Sequence, residues 1–587
     1  MLEALLNALR DPTTGHPHLG VAMFGEAQFS GDARFDTAHF SGAAGFDETH
    51  FASDAWFGGA QFLGNAWFAG VEFSGNAGFN RAQFYGEAGF VAAQFFSNAR
   101  FNRAQFSGNA GFSGTKFSGN AGFSGTKFSG NAGFGGAQFS GNAWFNTAQF
   151  YGEAGFFEAQ FSGVASFNTA RFSSIAGFGE ARFSSNAGFD GAQFSGDAGF
   201  EGARFEGVSV LGPLVCAARV GLSRAVFGLP VTLEIAAREL ECERTRWEST
   251  ATVRVRYAAV DLRHAVLSAP VAVIAHPAPF TSVFGGDVPL AEELLAGSGR
   301  VRVVSVQGVD AAHLVLTDTD LTGCLFSEAF HLDQIRLEGR TTFAPSPTGW
   351  HRRGIQPVRF TRRRTLIEEH HWRAHIARQP VAPPGHTAAP RHWRTGPHHT
   401  DPARTPDPED VAALYRQLRK AFEDGKNEPG AADFYYGECE MRRHDLTGTP
   451  KSERRLLWGY WLLSGYGLRA SRAFAWLLAA MSLTVLCLMA VGLPTHDPDP
   501  ATTGTLKGGR ISLDTRTPDP ALHGGWPQRM TWPRTEKATR VAINSVVFRS
   551  SGQNLTTAGT YIEMASRLLE PTLLALGLLA IRGRIKR

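Results

Sequence analysis

Two histidines in "LIEEHHWRAHIA", His371 and His375, stand at i and i+4. On a helix this spacing puts both imidazoles on one face, an arrangement that can hold a divalent metal. The zinc-protease pattern His-Glu-x-x-His is not formed and no third ligand follows at a motif spacing. A solvated, His-rich helix is the competing reading of this pair. Glu438, Glu440, Arg442 and Arg443 in "YYGECEMRRHD" carry charges that could in principle do acid–base work, but they read first as a polar helix face. Asp47-Glu48 is the only adjacent acidic pair before Phe205, which falls short of the clustered carboxylates that glycoside cleavage requires. Cys216, Cys242, Cys324, Cys439 and Cys487 are odd in number and form no Cys-x-x-Cys pair, so a disulfide framework or cysteine zinc site is not expected. No cofactor motif is visible. These residues point away from an enzyme.

The elements that would position such residues are set by repetition. Among 587 residues there are 47 Phe and 67 Gly. From Phe24 to Phe205, 34 phenylalanines follow at alternating intervals of five and six. Ala stands two positions before nearly all of them, with Thr49, Val71, Thr115 and Thr126 as the exceptions. Helical spacing of three and four is absent, and Gly at this density would cost a helix about 1 kcal/mol each. The frequent Ser-Gly and Gly-Asn pairs also interrupt any long strand. A fixed period of short units implies a solenoid whose coils bury their apolar side chains against one another. Phe106, Phe112, Phe117, Phe123 and Phe128, with Ala110 and Ala121, are its expected core.

The unit Ala-x-Phe-x-x resembles the pentapeptide-repeat family. That resemblance implies a mainly β fold, a right-handed four-sided β-helix in which Phe and Ala point inward. Here an extra residue enters every second unit, giving a coil of 22 with the longer connectors on two opposite corners. Gly108, Gly119, Gly130 and Gly141 recur in those connectors, where left-handed backbone angles are expected. A flattened two-sided coil is the alternative that spacing leaves open. The outward row Gln83, Gln105, Gln138, Gln149 and Gln160 reads as a solvated wall or a hydrogen-bonded ladder. Trp56, Trp67 and Trp144 also stand at the residue before a Phe.

Some pentapeptide-repeat proteins imitate DNA with a densely acidic surface. Nine basic and fourteen acidic residues between Phe24 and Phe205, a balance of −5, are too few for that role. Nucleic acid is therefore not an expected partner.

Domain boundaries follow composition. Residues 1–23 read as a helical cap, 24–205 as the regular solenoid and 206–345 as its divergent continuation. Residues 346–408 read as a basic, His/Pro-rich linker. Residues 409–445 form an α-helical hairpin, with Val411, Leu414, Leu418 and Phe422 as its apolar stripe. Residues 446–587 form a two-helix membrane segment with spans near 473–493 and 560–582. "AFAWLLAAMSLTVLCLMAVGL" carries no charge over 21 residues, about 31 Å as a helix. The second span must include Glu563, Arg567 and Glu570. Arg469 and Arg472 before the first span, and "RGRIKR" after the second, place the solenoid and the C-terminus in the cytoplasm of a multi-pass plasma-membrane protein.

The segments "GKNEPGAADFYYGECEMRRHD", "LLSGYGLRASRA" and "LAIRGRIKR" resemble actinobacterial pentapeptide-repeat membrane proteins. The membrane part also resembles a two-span potassium-channel pore, with "VAINSVVF" as the short helix between spans. A selective filter such as Thr-Val-Gly-Tyr-Gly is replaced by "FRSSGQNLTTAG", with Arg549 beside the expected ion path. The expected function is a membrane-anchored scaffold or sensor, with a channel or mechanosensor as the alternative. The lipid bilayer, an unidentified protein and further copies of the chain are the expected partners.

Overall fold

The computed structural model describes residues 2–284, 286, 288–295, 299–353, 356–360, 362–379, 392–395, 406–547, 549–550 and 552–585. These divide into two compact units, Met1–Pro406 with Lys420–Gly425, and Asp407–Arg419 with Lys426–Arg587.

The first unit is a four-sided parallel β-solenoid. Each Ala-x-Phe unit contributes one two-residue strand, and each strand pairs with the strand one coil away, as Gln83-Phe84 does with Gln105-Phe106. The coil is 22 residues long, the separation across which Asn142 N–H donates to the Asn120 side chain. The strand faces alternate in kind. Two carry Phe as the second strand residue, in pairs such as Gln105-Phe106 and Lys116-Phe117, and two carry Ala as the first, in pairs such as Ala110-Gly111 and Ala121-Gly122. Phe106, Phe112, Phe117, Phe123, Phe128, Ala110 and Ala121 are all buried. The flattened two-sided coil is excluded over this stretch, because successive strands fall on four separate faces.

Four interior columns of Phe result. Rings one coil apart stack nearly parallel, as at Phe84–Phe106 (4.7 Å, 2°) and Phe95–Phe117 (4.9 Å, 7°). Rings of neighbouring columns meet edge to face, as at Phe112–Phe123 (5.4 Å, 86°). Both arrangements suit the ring quadrupole. The Thr exceptions are buried without penalty, because Thr115 and Thr126 donate their hydroxyls to the carbonyls of Phe90 and Phe101 at 2.7 and 2.8 Å.

The connectors differ from the sequence expectation. Gly108, Gly119, Gly130 and Gly141 do not adopt left-handed angles. They are glycine because coil lies on coil: a Cβ at Gly130 would stand 2.6 Å from the Gly108 carbonyl oxygen, and one at Gly141 2.5 Å from that of Gly119. Positive φ falls instead in the shorter connectors, every 11 residues from Glu26 to Gly202, and ten of those positions are not glycine, among them Thr37, Arg81 and Ala92. Their N–H groups bond to the next coil, as Thr37 N–H does to the Gly58 carbonyl at 2.8 Å, which offsets the strain. The hydrogen-bonded ladder is also built by other residues than expected. Asn98, Asn120 and Asn142 each sit in a longer connector, and the side-chain oxygens of the first two accept backbone N–H groups one coil on, at 3.1 and 3.0 Å. The Gln row makes no such ladder among the described residues.

At the N-terminal end only Leu2–Ala8 (α1) is helical, and the solenoid begins before Phe24. His18-Leu19 and Ala22-Met23 already pair with the next coil, Leu19 taking the inward place of Phe. Beyond Phe205 the coil changes shape. One strand, Val210–Gly221, pairs with Ala192–Phe194 and Ala198–Gly199 in a single run, and the repeat shortens to 20 residues, as between Arg254 and Glu234. Parallel pairing continues to Arg336–Glu338.

The segment 346–408, read from sequence as a linker, contains a packed helix, α2 (Ile367–Ile376). Glu368, Glu369 and His370 of α2 are buried, so this part is a folded cap rather than a solvated stretch. The same segment also holds an antiparallel strand pair, Gly349–Arg353 with Gln356–Phe360, while 380–391 and 396–405 lie outside the described residues.

The second unit is helical: α3 (Pro408–Asp424, shared between the units), α4 (Glu428–His444), α5 (Lys451–Ser464), α6 (Ala470–Cys487), a wider turn at Leu488–Gly492, α7 (Trp526–Arg529), α8 (Trp532–Val546) and α9 (Thr557–Ile585). An exposed antiparallel hairpin, Ala501–Lys507 with Arg510–Arg516, stands between the wider turn and α7.

Candidate functional site

On α2 the buried polar groups are already committed. Glu369 receives Arg363 Nη2 at 2.5 and 2.7 Å and Arg373 Nε at 2.7 Å. Thr365 donates its hydroxyl to the Ala344 carbonyl, so His370 Nε2 is the donor to Thr365 Oγ1 at 2.8 Å. His370 Nδ1 accepts from Arg394 N–H at 3.1 Å. Both ring nitrogens are used and the ring is neutral. Burial, with Arg394 and Arg363 nearby, pushes its pKa down to about 3. His371 is half-buried and His375 exposed. No group of three metal-binding side chains occurs among the described residues.

Glu368 accepts the backbone N–H groups of Phe326 (2.5 Å) and Ser327 (3.1 Å). Burial raises its pKa to about 7 against the lowering effect of those bonds. The folded state thus holds this proton more tightly than the unfolded chain. Its contribution to stability is full below the ordinary glutamate range and declines as pH rises from there to about 7. Glu368→Gln should therefore gain stability relative to the parent between pH 5 and 8. Denaturant midpoints of the detergent-solubilised chain at those pH values test this, and equal shifts at both would refute it.

Glu438 and Glu440, read from sequence as part of a polar helix face, are buried on α4. Glu438 receives Arg416 at 3.0 Å and Arg419 at 2.8 Å; Glu440 receives Arg443 at 2.7 Å and the Tyr466 hydroxyl at 2.9 Å. These carboxylates tie α4 to α3 and to the turn between α5 and α6. Nothing here leaves a carboxylate poised toward an open cleft.

Two helical segments are long and apolar enough to cross a bilayer: Ala470–Gly492 (23 residues) and Thr557–Arg582 (26 residues). The second begins eleven residues before Leu568 and so takes in Glu563 and Arg567 as well as Glu570. Arg567 pairs with Glu563 at 2.7 Å, and Glu570 accepts the Thr484 hydroxyl at 2.9 Å. The two helices approach backbone to backbone at Gly492 and Gly559, where a Cβ on Gly559 would collide with the Gly492 carbonyl. The helix α8 packs against both, with Val541 and Ala538 buried beside Leu488 and Leu493. Arg534 fixes its start by donating to the carbonyls of Leu493 (2.8 Å) and Pro494 (2.6 Å). Sequence reading missed this arginine cap, since its acceptors lie about 40 positions away.

Outside these helices, α5 exposes Leu456 and Trp458 beside Arg455. An apolar and basic surface of this kind suits the boundary between bilayer and water.

No curated protein and no solved structure matches the chain. The family description "Pentapeptide repeats (9 copies)" matches residues 24–72, 68–116, 112–160 and 156–204. Together with the four-sided coil and its Phe columns, this makes residues 24–204 a pentapeptide-repeat β-solenoid.

Proposed function

We propose that the chain is a non-enzymatic, membrane-anchored interaction protein that presents its solenoid to the cytoplasm. The observation that carries this reading is the pair of apolar helices long enough to cross a bilayer, in which Arg567 pairs with Glu563 and Glu570 accepts the Thr484 hydroxyl. The polar groups of the α2 cap and of α4 serve packing, which supports a binding rather than a catalytic role. Arg469 just before the first apolar helix, Arg472 in its first turn and Arg582 at the end of the second resist translocation. Topology reporters placed before Met1 and after Arg587 should both read cytoplasm, and one at Thr515 should read the outer side. An external C-terminal reporter would refute the two-span anchor. Proximity labelling from the solenoid in native membranes should then recover a cytoplasmic protein partner.

The packing of α8 against both apolar helices favours a second reading, an oligomeric pore gated through the rod. Absence of the potassium filter and the presence of Arg549 weigh against selective K⁺ conduction. The expected result is no selective K⁺ current in reconstituted bilayers.

A further inference from the structure

The second apolar helix buries a polar line. Gly559, Glu563, Ser566 and Glu570 recur at helical spacing on one face of α9, and Leu573 and Ala580 continue that face as apolar residues. Ser566 Oγ is 2.9 Å from Ser545 Oγ on α8, and Arg567 closes on Glu563. Glu570 is different. It is 0 % exposed, its Oε1 accepts from Thr484, and its Oε2 is buried with no hydrogen-bond partner in the protein.

No cation comes to its aid among the described residues. The charged groups on the elements packed against α9 are engaged elsewhere or stand at helix ends. Arg540 pairs with Glu536, Lys537 with Asp497, Arg443 and His444 with Glu440, and Arg442 with Glu438 and Glu453. Arg454 and Arg455 lie near the start of α5, and Arg472 lies in the first turn of α6, twelve positions before Thr484, the residue that contacts Glu570. A carboxylate held this way would be a buried charge with one oxygen unanswered, which is costly in any apolar setting. A neutral carboxylic acid with its proton on Oε2 avoids that cost. Ionisable groups inside apolar spans are rare, and those present are retained for ion or proton chemistry.

We propose that Glu570 is a proton-binding site between the two apolar helices, a carboxylic acid oriented by Thr484 that exchanges its Oε2 proton. This rests on the reading of α6 and α9 as membrane spans. The two helices then sense proton activity through a single side chain, and no selective ion filter is required.

Dicyclohexylcarbodiimide, an apolar reagent for protonated buried carboxyls, tests the assignment on the full chain in native membranes. The carboxyl O–H adds across one C=N bond to give an O-acylisourea. The acyl group then migrates from oxygen to nitrogen, leaving a stable N-acylurea with every atom of both reactants retained. Peptide mass spectrometry should find the adduct on Glu570 at pH 6 and not on the exposed Asp514 or Glu536. Labelling should fall at least tenfold by pH 9 and vanish in Glu570→Gln. Thr484→Val should keep the adduct, since Oε2 and its proton are untouched by that change. An unlabelled Glu570 in protein that withstands an alkaline carbonate wash would overturn the proton site and leave the membrane reading intact. Release of the chain by that wash would overturn both.

Discussion

Phe117→Ala and Phe128→Ala should each lower the stability of the solenoid by about 3–5 kcal/mol, the range for a fully buried aromatic cut to its Cβ. Phe117 is stacked between Phe95 (4.9 Å) and Phe139 (4.8 Å) and meets Phe123 edge-on at 6.0 Å, so its loss opens a void shared by three coils. Stability in a solenoid is a sum of units and nearest-neighbour interfaces, and here both interfaces of one coil are weakened together. Gln105→Ala, on an exposed side chain between two buried ones, should cost less than about 0.5 kcal/mol. Unfolding of the detergent-solubilised chain in denaturant, followed by circular dichroism, compares the three. Equal losses at Phe117, Phe128 and Gln105 would contradict the columns.

A comparable loss is expected at the other end of the solenoid from a charge rather than a ring. Glu369 is wholly buried and joins Arg363 and Arg373, both nearly buried themselves. Glu369→Ala would leave two guanidinium groups facing each other without their shared anion. Removing one member of such a group costs about 3–5 kcal/mol, most of it the desolvation of the charges left behind. The α2 cap should then detach while the Phe columns persist. Limited proteolysis should show early cleavage around residues 362–379, with residues 24–205 still resistant. Resistance of the cap equal to that of the parent would show that Arg363 and Arg373 find water instead.

The solenoid core was legible because its signal is local and redundant. Each Phe at a five- or six-residue interval, with Ala two positions before it, states its inward direction without reference to the rest of the chain. The connectors were less legible. Glu26, Thr37 and Arg81 carry no mark of a left-handed backbone, and they adopt it because coil-to-coil hydrogen bonds fix the corner. Gly130 suggests conformational freedom in sequence, whereas its actual constraint is the carbonyl one coil below. The α2 cap was read as solvated because six of its ten residues are charged or histidine. Its partners Phe326, Ser327 and Arg394 lie 24 to 42 positions away, beyond the reach of any periodicity. The first apolar helix was plain from composition. The second, read as 560–582, lies at Thr557–Arg582, and only the fold shows how Glu563, Arg567 and Glu570 are held within it.

The stack of near-identical coils also makes the rod a length standard that evolution can reset. Asn142 bonds back to Asn120 as Asn120 does to Asn98, so duplicating or deleting 22 residues returns every side chain to its own face. Each such event changes the length by about 4.8 Å, one strand spacing, and leaves both ends untouched. The near-exact repeat "SGNAGFSGTKF" is half of that unit. Unequal recombination across one copy would rotate everything downstream by half a turn, carrying each outward stripe to the opposite face. Two copies would restore it. Reach and facing direction can thus vary independently, in steps, without a new fold.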